Sequence, residues 1–250
     1  MKKVIQMLVI ILVVIICVFL GYRSLLFGNC NVIKKGFINY TKNLNFDDKA
    51  TLEYKKSSKY VTFKDIKIKD EYKDFTISKE LTDDDKITYG LHDDKKNLLA
   101  SFWITTESTI VDKIKNNEIV YDKWIGITHD DFINFFNSKN IKNDYELINY
   151  VINNKEVKYN YFTSIKELKN NFVYMYICSI LYSEDNYATF FDGSVKGYFL
   201  TFDGSKKAKV YEAKIIHDDK VYILSFLNSR EYNYFTRDNI LESLSTVIFE

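Results

Sequence analysis

A long apolar segment near the start of the chain is the clearest feature of the pattern. Val4 to Leu20 contains no charged residue and one strongly polar side chain, Gln6. As a helix, these seventeen residues would rise about 26 Å, close to the roughly 30 Å hydrocarbon core of a bilayer. The pattern predicts one transmembrane helix, with residues 1–30 forming the membrane anchor and its flanks.

A cleaved secretory signal is the other interpretation of this segment. The apolar core of a signal peptide is usually about 7–15 residues long and is followed by a small-x-small cleavage site. Here Tyr22 and Arg23 follow directly on Gly21, and no Ala-x-Ala sequence is near. The residues before Cys17 and Cys30 are not the small ones that a lipoprotein signal requires, although palmitoylation of Cys30 stays open. We therefore expect an uncleaved anchor.

Positive charges on either side of the segment predict its orientation. Lys2 and Lys3 precede it, whereas Arg23 alone follows closely, with Lys34 and Lys35 further along the chain. Cations concentrate on the cytoplasmic side of membrane helices. We expect a single-pass protein of the cell membrane, with its N-terminus in the cytoplasm and residues 31 onward outside.

Residues 31–59 are interpreted as a stalk and linker. Helical spacing of apolar residues predicts a short amphipathic stalk helix. The charged stretch over residues 47–59 predicts a linker with one short strand. The apolar positions of the predicted stalk helix are Val32, Ile33, Phe37, Tyr40 and Leu44.

From residue 60 onward, the period of the pattern distinguishes strands from helices. Alternating apolar and polar residues predict strands, and apolar residues three and four apart predict helices. Strands and helices come in blocks rather than as repeating βαβ units, so we expect an α+β domain over 60–250, with antiparallel sheets packed against helices. Strands are predicted at 60–68, 75–77, 87–91, 98–104, 189–191, 197–202, 210–216 and 221–227, and helices at 110–114, 128–136, 145–152, 165–181 and 237–246.

Charge and composition narrow the classes of partner. The chain has 35 basic and 34 acidic residues, for a formal net charge of +1. Binding to nucleic acid needs a basic excess that displaces counterions, so no nucleic-acid partner is expected. Proline is absent, and Tyr and Phe number 20 and 19. This bias is typical of a bacterium with an AT-rich genome.

Each histidine of the chain, His92, His129 and His217, is followed by two aspartates. Imidazole and carboxylate groups are metal ligands, so one interpretation is a metal centre. The other is that two of the pairs form hairpin turns and the third forms the first turn of a helix, where aspartate bonds to nearby backbone. A metal centre would require the three positions to converge, so the turn interpretation is favoured and no metal or cofactor is predicted.

The sequence contains no catalytic motif that would define an enzyme. Gly-x-Ser-x-Gly, the P-loop, His-Glu-x-x-His and Cys-x-x-Cys are all missing. Cys178 with His217 is one conceivable nucleophile and base. Cys178 lies on the predicted apolar face of its helix, where thiols are usually inert. No catalytic residue is therefore assigned.

Two clusters of aromatic residues lie in predicted loops. Exposed tyrosines are common in recognition surfaces because they bury a large area at a low entropic cost. The AT-rich composition would also supply them by default, and both interpretations stay open. The clusters are Tyr159, Tyr161 and Phe162, and Tyr232, Tyr234 and Phe235.

The last quarter of the chain, residues 185–250, has a pattern of strands ending in a helix. The segments are Gly197-Tyr198-Phe199-Leu200, Tyr211-Glu212-Ala213-Lys214-Ile215, Lys220-Val221-Tyr222-Ile223-Leu224-Ser225-Phe226 and Ile240-Leu241-Glu242-Ser243-Leu244. This pattern resembles the small α/β/α sandwich proteins of the Mog1/PsbP type, found as anchored or lipidated ectodomains in low-GC Gram-positive bacteria. The resemblance implies a sandwich fold, in a family whose members are mostly adaptor-like or uncharacterised, and transfers no site residues.

A non-catalytic binding or interaction domain is the function that these features favour. Its partner would be an envelope protein, a cell-wall component or a small ligand, besides the membrane that holds the anchor. A cell-surface hydrolase with an unrecognised active site is the first alternative. An accessory or immunity-type protein for a secreted toxin is the second.

Overall fold

In the computed structural model, the chain divides into two compact units. Each unit combines segments that are distant in sequence. Unit 1 comprises Met1–Lys42, Lys113–Lys142 and Asn149–Ser183, and unit 2 comprises Asn43–Asp112, Asn143–Ile148 and Glu184–Glu250. The structure describes residues 2–43, 49–70, 76–77, 85–119, 124–181, 187–203, 209–229 and 231–250.

The helices follow the predicted periodicity, apart from the first. The long helix α1 spans Lys2–Asn43 and is 42 residues long. It continues without a break through the predicted stalk as far as Asn43, so this part of the stalk is the last part of α1 rather than an element of its own. The last predicted stalk position, Leu44, lies outside the described residues. The other helices are α2 (Ile110–Lys115), α3 (His129–Lys139), α4 (Asp144–Asn153), α5 (Ile165–Leu181) and α6 (Arg237–Leu244).

The two halves of α1 have different surroundings. Side chains from Val4 to Leu20 are exposed, and this helix is long and apolar enough to cross a membrane. In the second half, a stripe of buried side chains recurs at intervals of four, three and four residues, which places them on one helix face. These are Leu26, Cys30, Ile33 and Phe37. The second half of α1 is therefore part of the core of unit 1.

Capping interactions explain where the helices of unit 1 begin. Asp131 Oδ2 accepts hydrogen bonds from the backbone N–H and the hydroxyl of Thr128 at 2.8 and 3.0 Å. Lys169 of α5 donates to the same carboxylate at 2.9 Å. The predicted start of α5 is confirmed, since the backbone N–H of Glu167 donates to Ser164 Oγ at 3.2 Å. Side chains of this type satisfy backbone groups that have no partner within the first turn.

Unit 2 contains the strands and confirms the α+β class. An eight-stranded sheet has the order β1-β7-β8-β9-β10-β6-β5-β4, and a three-stranded sheet has the order β11-β3-β2. The strands are β1 (Lys49–Leu52), β2 (Tyr60–Phe63), β3 (Ile66–Lys69), β4 (Thr76–Ile77), β5 (Lys86–His92), β6 (Leu98–Ser108), β7 (Tyr187–Gly193), β8 (Gly197–Asp203), β9 (Lys209–His217), β10 (Lys220–Asn228) and β11 (Ile248–Phe249).

The pairs of neighbouring strands are antiparallel except that β1 runs parallel to β7. The periodicity predicted a short strand in the linker but not this partner. Gly193, with φ +114°, permits the close approach, because a Cβ there would lie 2.2 Å from the carbonyl oxygen of Leu52. Only glycine has neither the steric penalty of that backbone conformation nor a Cβ in that space.

Helix α6 and both sheets enclose the core of unit 2. Thr236 caps α6, because its Oγ1 accepts from the backbone N–H of Asn239. Ile240 and Leu244 of α6 are buried in the same apolar cluster as residues of the sheets. Strand β11, which was not predicted, extends the three-stranded sheet by pairing with β3.

Candidate functional site

The three His-Asp-Asp sequences lie at element ends. His92 ends β5 and His217 ends β9, each at the start of a hairpin turn, while His129 begins α3. The Nε2 atom of His129 lies 2.9 Å from the carbonyl oxygen of Ile114. His129 belongs to unit 1, and the other two histidines belong to unit 2.

Aspartates perform the turn chemistry that the sequence suggested. Asp93 accepts from the backbone N–H groups of Lys95 and Asn97 at 2.9 and 2.8 Å. The side chain and backbone of Asn97 are the main reasons that the pKa of Asp93 is lowered. At the second hairpin, Asp218 adopts φ +50°. Within the described residues, no group of three or more His, Cys, Asp or Glu side chains is arranged to hold a metal ion.

Two of the cysteines are buried thiols in unit 1. Cys30 is fully buried and donates to the carbonyl oxygen of Leu168 at 3.2 Å. Burial raises the pKa of the Cys30 thiol to about 12, and it raises that of Cys178 further. A buried thiol of raised pKa supplies little thiolate. The structure therefore argues against palmitoylation at Cys30 and against a nucleophilic Cys178 beside His217.

A cleft of about 330 Å³ in unit 2 is a candidate binding site, and we name it the α4 cleft. It lies where the start of α4, the β7–β8 turn, the end of β9 and β11 meet. Its lining residues are Asn143, Tyr145, Glu146, Ser194, Val195, Lys196, Ile216, His217, Asp218 and Phe249. His217 is thus the one sequence-predicted candidate that the cleft includes.

The α4 cleft combines charges of both signs with aromatic surfaces. Lys196 Nζ lies 5.1 Å from the centre of the Tyr145 ring, within cation–π range. The rings of His217 and Phe249 stack almost parallel, with centroids 3.7 Å apart. Such a surface suits a small polar ligand that carries both a positive and a negative group. Because β9 and β11 are separated in the sequence, the hydrophobic pattern did not predict that His217 and Phe249 would stack.

The cleft also contains the residue types of a catalytic triad, Ser194, His217 and Asp218. However, the Ser194 hydroxyl donates to the carbonyl oxygen of Leu52 at 3.0 Å, not to His217. The closest His217–Asp218 contact is 3.7 Å, longer than a hydrogen bond. A serine nucleophile needs a base that removes its proton. The geometry thus favours binding over acyl transfer.

A buried carboxylate positions the α4 wall of the cleft. Asp144 is 2% exposed and accepts from the backbone N–H groups of Ile110 and Val111 at 2.9 and 3.0 Å. It therefore joins the start of α4 to the start of α2. Burial is the main cause that raises the pKa of Asp144 to about 6, and the nearby Asp112 carboxylate contributes.

A second site surrounds α1 in unit 1, and we name it the α1 collar. It consists of the loops 124–127 and 159–163, which bond to the part of α1 from Tyr22 to Asn31, directly after its exposed apolar half. Arg23 donates from Nε to the carbonyl oxygen of Tyr161 at 2.6 Å and from Nη2 to that of Thr163 at 2.9 Å. Its guanidinium also lies 5.5 Å from the Tyr161 ring centre.

Further contacts tie the collar to α1. Tyr22 donates its hydroxyl proton to the carbonyl oxygen of Gly126 at 3.1 Å. Tyr159 donates to Asn31 Oδ1 at 3.0 Å, and its ring meets Phe27 edge to face at 5.8 Å. The first aromatic cluster of the sequence thus gathers around α1.

The second aromatic cluster is arranged differently. Phe235 is buried in the core of unit 2, and Tyr234 packs edge to face on it at 5.1 Å. Tyr232 stacks on Tyr234 at 6.1 Å and stays 39% exposed. This cluster therefore serves mainly to hold the segment that precedes α6.

The sequence matches no model of a known protein family and no curated protein. Its function must therefore be inferred from the two sites themselves, the α4 cleft and the α1 collar.

Proposed function

We propose that the protein is an uncleaved single-pass protein of the cell membrane, with a non-catalytic binding unit on the extracytoplasmic side. The α4 cleft is its binding site for a small polar ligand, such as a peptide fragment of the cell wall. The single observation that supports an uncleaved anchor is the continuity of α1: its exposed apolar half continues directly into the half that is buried in the core of unit 1.

Continuity of α1 favours an anchor over a signal peptide. A cleavage site after the apolar segment would fall at Gly21 to Arg23. There the backbone is helical, and Tyr22 and Arg23 are already bonded to the collar. Signal peptides instead end at small residues. The excess of lysine before the segment supports an N-terminus in the cytoplasm, which would place residues 31 onward outside.

Topology in intact cells tests the anchor. We expect the full-length protein to resist carbonate extraction and to keep its N-terminal segment, because α1 spans the bilayer. External protease should cleave the chain beyond residue 31 while sparing an N-terminal epitope. Extraction by carbonate, a mature chain that begins after residue 20, or an N-terminal epitope cleaved from outside would each contradict the proposal.

Charges and aromatic rings in the α4 cleft support a binding role. Lys196 and His217 supply cationic or hydrogen-bonding groups, and Glu146 and Asp218 supply anionic ones. A zwitterionic peptide fragment could pair with both signs while its apolar atoms cover Tyr145 and Phe249. The resemblance to Mog1/PsbP-type sandwiches is part of this proposal, since those ectodomains are mostly adaptor-like. A surface hydrolase and an immunity-type protein are the alternatives.

Soluble cell-wall peptide fragments test the cleft. We expect Lys196→Met to weaken their binding about 10- to 100-fold, because a hydrogen bond to a charged group contributes about 1.5–3 kcal/mol. Isothermal titration of full-length protein in nanodiscs measures the dissociation constant. Lys209→Met is the matched control, since Lys209 also lies over a tyrosine ring, at 5.5 Å, but does not line the cleft. Equal losses in both variants, unchanged binding or hydrolysis of the fragment would refute the binding role.

A further inference from the structure

Two apolar side chains of the α1 collar point into solvent. Phe162 is 85% exposed and Ile125 is 72% exposed. Within the described part of the chain, they are the most exposed large apolar residues, above even those of the apolar half of α1. Isolated exposed apolar residues are ordinary on protein surfaces. Phe162 and Ile125 differ from such isolated residues because both are held beside α1, close to the end of its apolar segment.

Phe162 is held within one helical turn of the end of the apolar segment. Arg23 donates to the carbonyl oxygens of Tyr161 and Thr163, the two residues that flank Phe162. Arg23 comes three residues after Leu20, a rise of about 4.5 Å along the helix. Two hydrogen bonds from one guanidinium fix the loop against α1 at this level.

Ile125 is held in the same region by the other loop of the collar. Its carbonyl oxygen accepts from Asn29 Nδ2 at 3.1 Å, and that of the next residue, Gly126, accepts from the Tyr22 hydroxyl. Gly126 has φ +85°, and a Cβ there would lie 2.9 Å from the Tyr22 ring. Glycine is required for this close approach, which sets Ile125 beside the turns of α1 that follow the apolar segment.

The composition of the collar differs from that of the rest of the chain. Charged residues make up 28% of the sequence, yet none occurs in either loop of the collar, 124–127 or 159–163. The loops contribute Trp124, Tyr159 and Tyr161 instead, and α1 adds Tyr22. Tryptophan and tyrosine are the residues enriched where membrane proteins cross the interface between lipid and water.

We propose that Phe162 and Ile125 insert into the boundary between headgroups and acyl chains of the same bilayer that α1 spans. The proposal rests on the proposed anchor. The continuity of α1 supports the proposal, because its exposed apolar surface ends at Leu20, within one turn of Tyr22 and Arg23, which bond to the loops that carry these two side chains. The collar then seats unit 1 directly on the membrane instead of on a free stalk. Because Phe162 and Ile125 carry no charge themselves, their insertion needs neither anionic lipid nor low salt.

Fluorescent labelling of full-length protein in nanodiscs tests this insertion. Phe162→Cys and Ile125→Cys are labelled with an environment-sensitive dye, NBD, in a Cys17→Ala background, because Cys30 and Cys178 are buried. Val32→Cys is the matched control. Val32 is 63% exposed and lies twelve residues beyond Leu20, a rise of about 18 Å.

We expect NBD at both collar positions to emit at shorter wavelength than at Val32 and to be quenched by lipids spin-labelled near the headgroup. Neither the shift in emission nor the quenching should change when salt is added or when the bilayer is made of neutral lipid. If all three positions emit as in water while the protein resists carbonate extraction, the insertion is refuted and the anchor stands. If carbonate releases the protein, the anchor fails as well. A blue shift without quenching by lipid would assign the contact to protein, such as a second copy, and would also refute the insertion.

Discussion

Replacing Phe37 by alanine should lower the stability of unit 1 by about 3–5 kcal/mol, the usual cost of removing a buried phenylalanine side chain. Phe37 is 2% exposed, and its ring meets that of Tyr174 edge to face at 5.4 Å. The substitution would remove this contact and leave a cavity between α1 and α5. Amide hydrogen exchange over α5 (Ile165–Leu181), in nanodiscs, measures the loss as a lower free energy of opening.

Val32→Ala is the control for this substitution, because Val32 lies on the same helix but is exposed. It should change the opening free energy of α5 by no more than about 0.5 kcal/mol. The contrast tests whether the second half of α1 belongs to the core. Similar small effects for both variants would show instead that α1 is a stalk beside the fold, as its amphipathic pattern alone predicted.

Replacing Asp144 by asparagine should change how the stability of unit 2 depends on pH. Burial raises the pKa of Asp144 from the ordinary 3.8 to about 6. An acid whose pKa is higher in the folded state contributes stability that is present below about pH 4 and is lost as pH rises through about 6. The difference between the two pKa values corresponds to about 3 kcal/mol.

Urea titrations of wild-type protein and Asp144→Asn, from about pH 3.5 to 7, measure this effect. We expect the stability of the wild type relative to the variant to fall by about 3 kcal/mol over that range. The variant keeps one acceptor oxygen for the backbone N–H of Ile110 or Val111 and has no ionisable group at this position. Any loss of stability that the substitution itself causes should therefore be the same at every pH. A pH-independent difference, or one that grows as pH rises, would contradict a raised pKa.

The Asp144 bonds also connect stability to the candidate site. Asn143 accepts from the backbone N–H of Glu146 and so caps α4, while Asp144 fixes the same turn to the start of α2. These bonds fix the start of α4, from which Tyr145 and Glu146 line the α4 cleft. A variant that loosens Asp144 should therefore weaken ligand binding in the cleft, even though Asp144 does not line it.

Local signals in the sequence were enough to predict most of the helices and turns. Thr128, Ser164 and Thr236 precede three helices that begin where these residues predict, because a cap satisfies backbone groups of its own neighbours. The hairpin turns at Asp93 and Asp218 follow from the same short-range chemistry. The apolar run from Val4 to Leu20 similarly needed only its own composition to indicate a membrane-crossing helix.

Other features depended on residues distant in sequence, and only the tertiary structure decided them. Whether α1 ends at the apolar segment or continues is settled by the core that Leu26 and Phe37 enter. Likewise, β1 pairs with β7 across some 140 residues, and Gly193 permits it.

The two candidate sites show the same limit. The α4 cleft joins β11 to the end of β9, and the α1 collar joins Arg23 to residues near 162. The chain itself determined caps, turns and periodicity, since these act over a few residues. Packing determined the sites, because a hydrogen bond or an aromatic contact between distant segments leaves no periodic trace in the sequence.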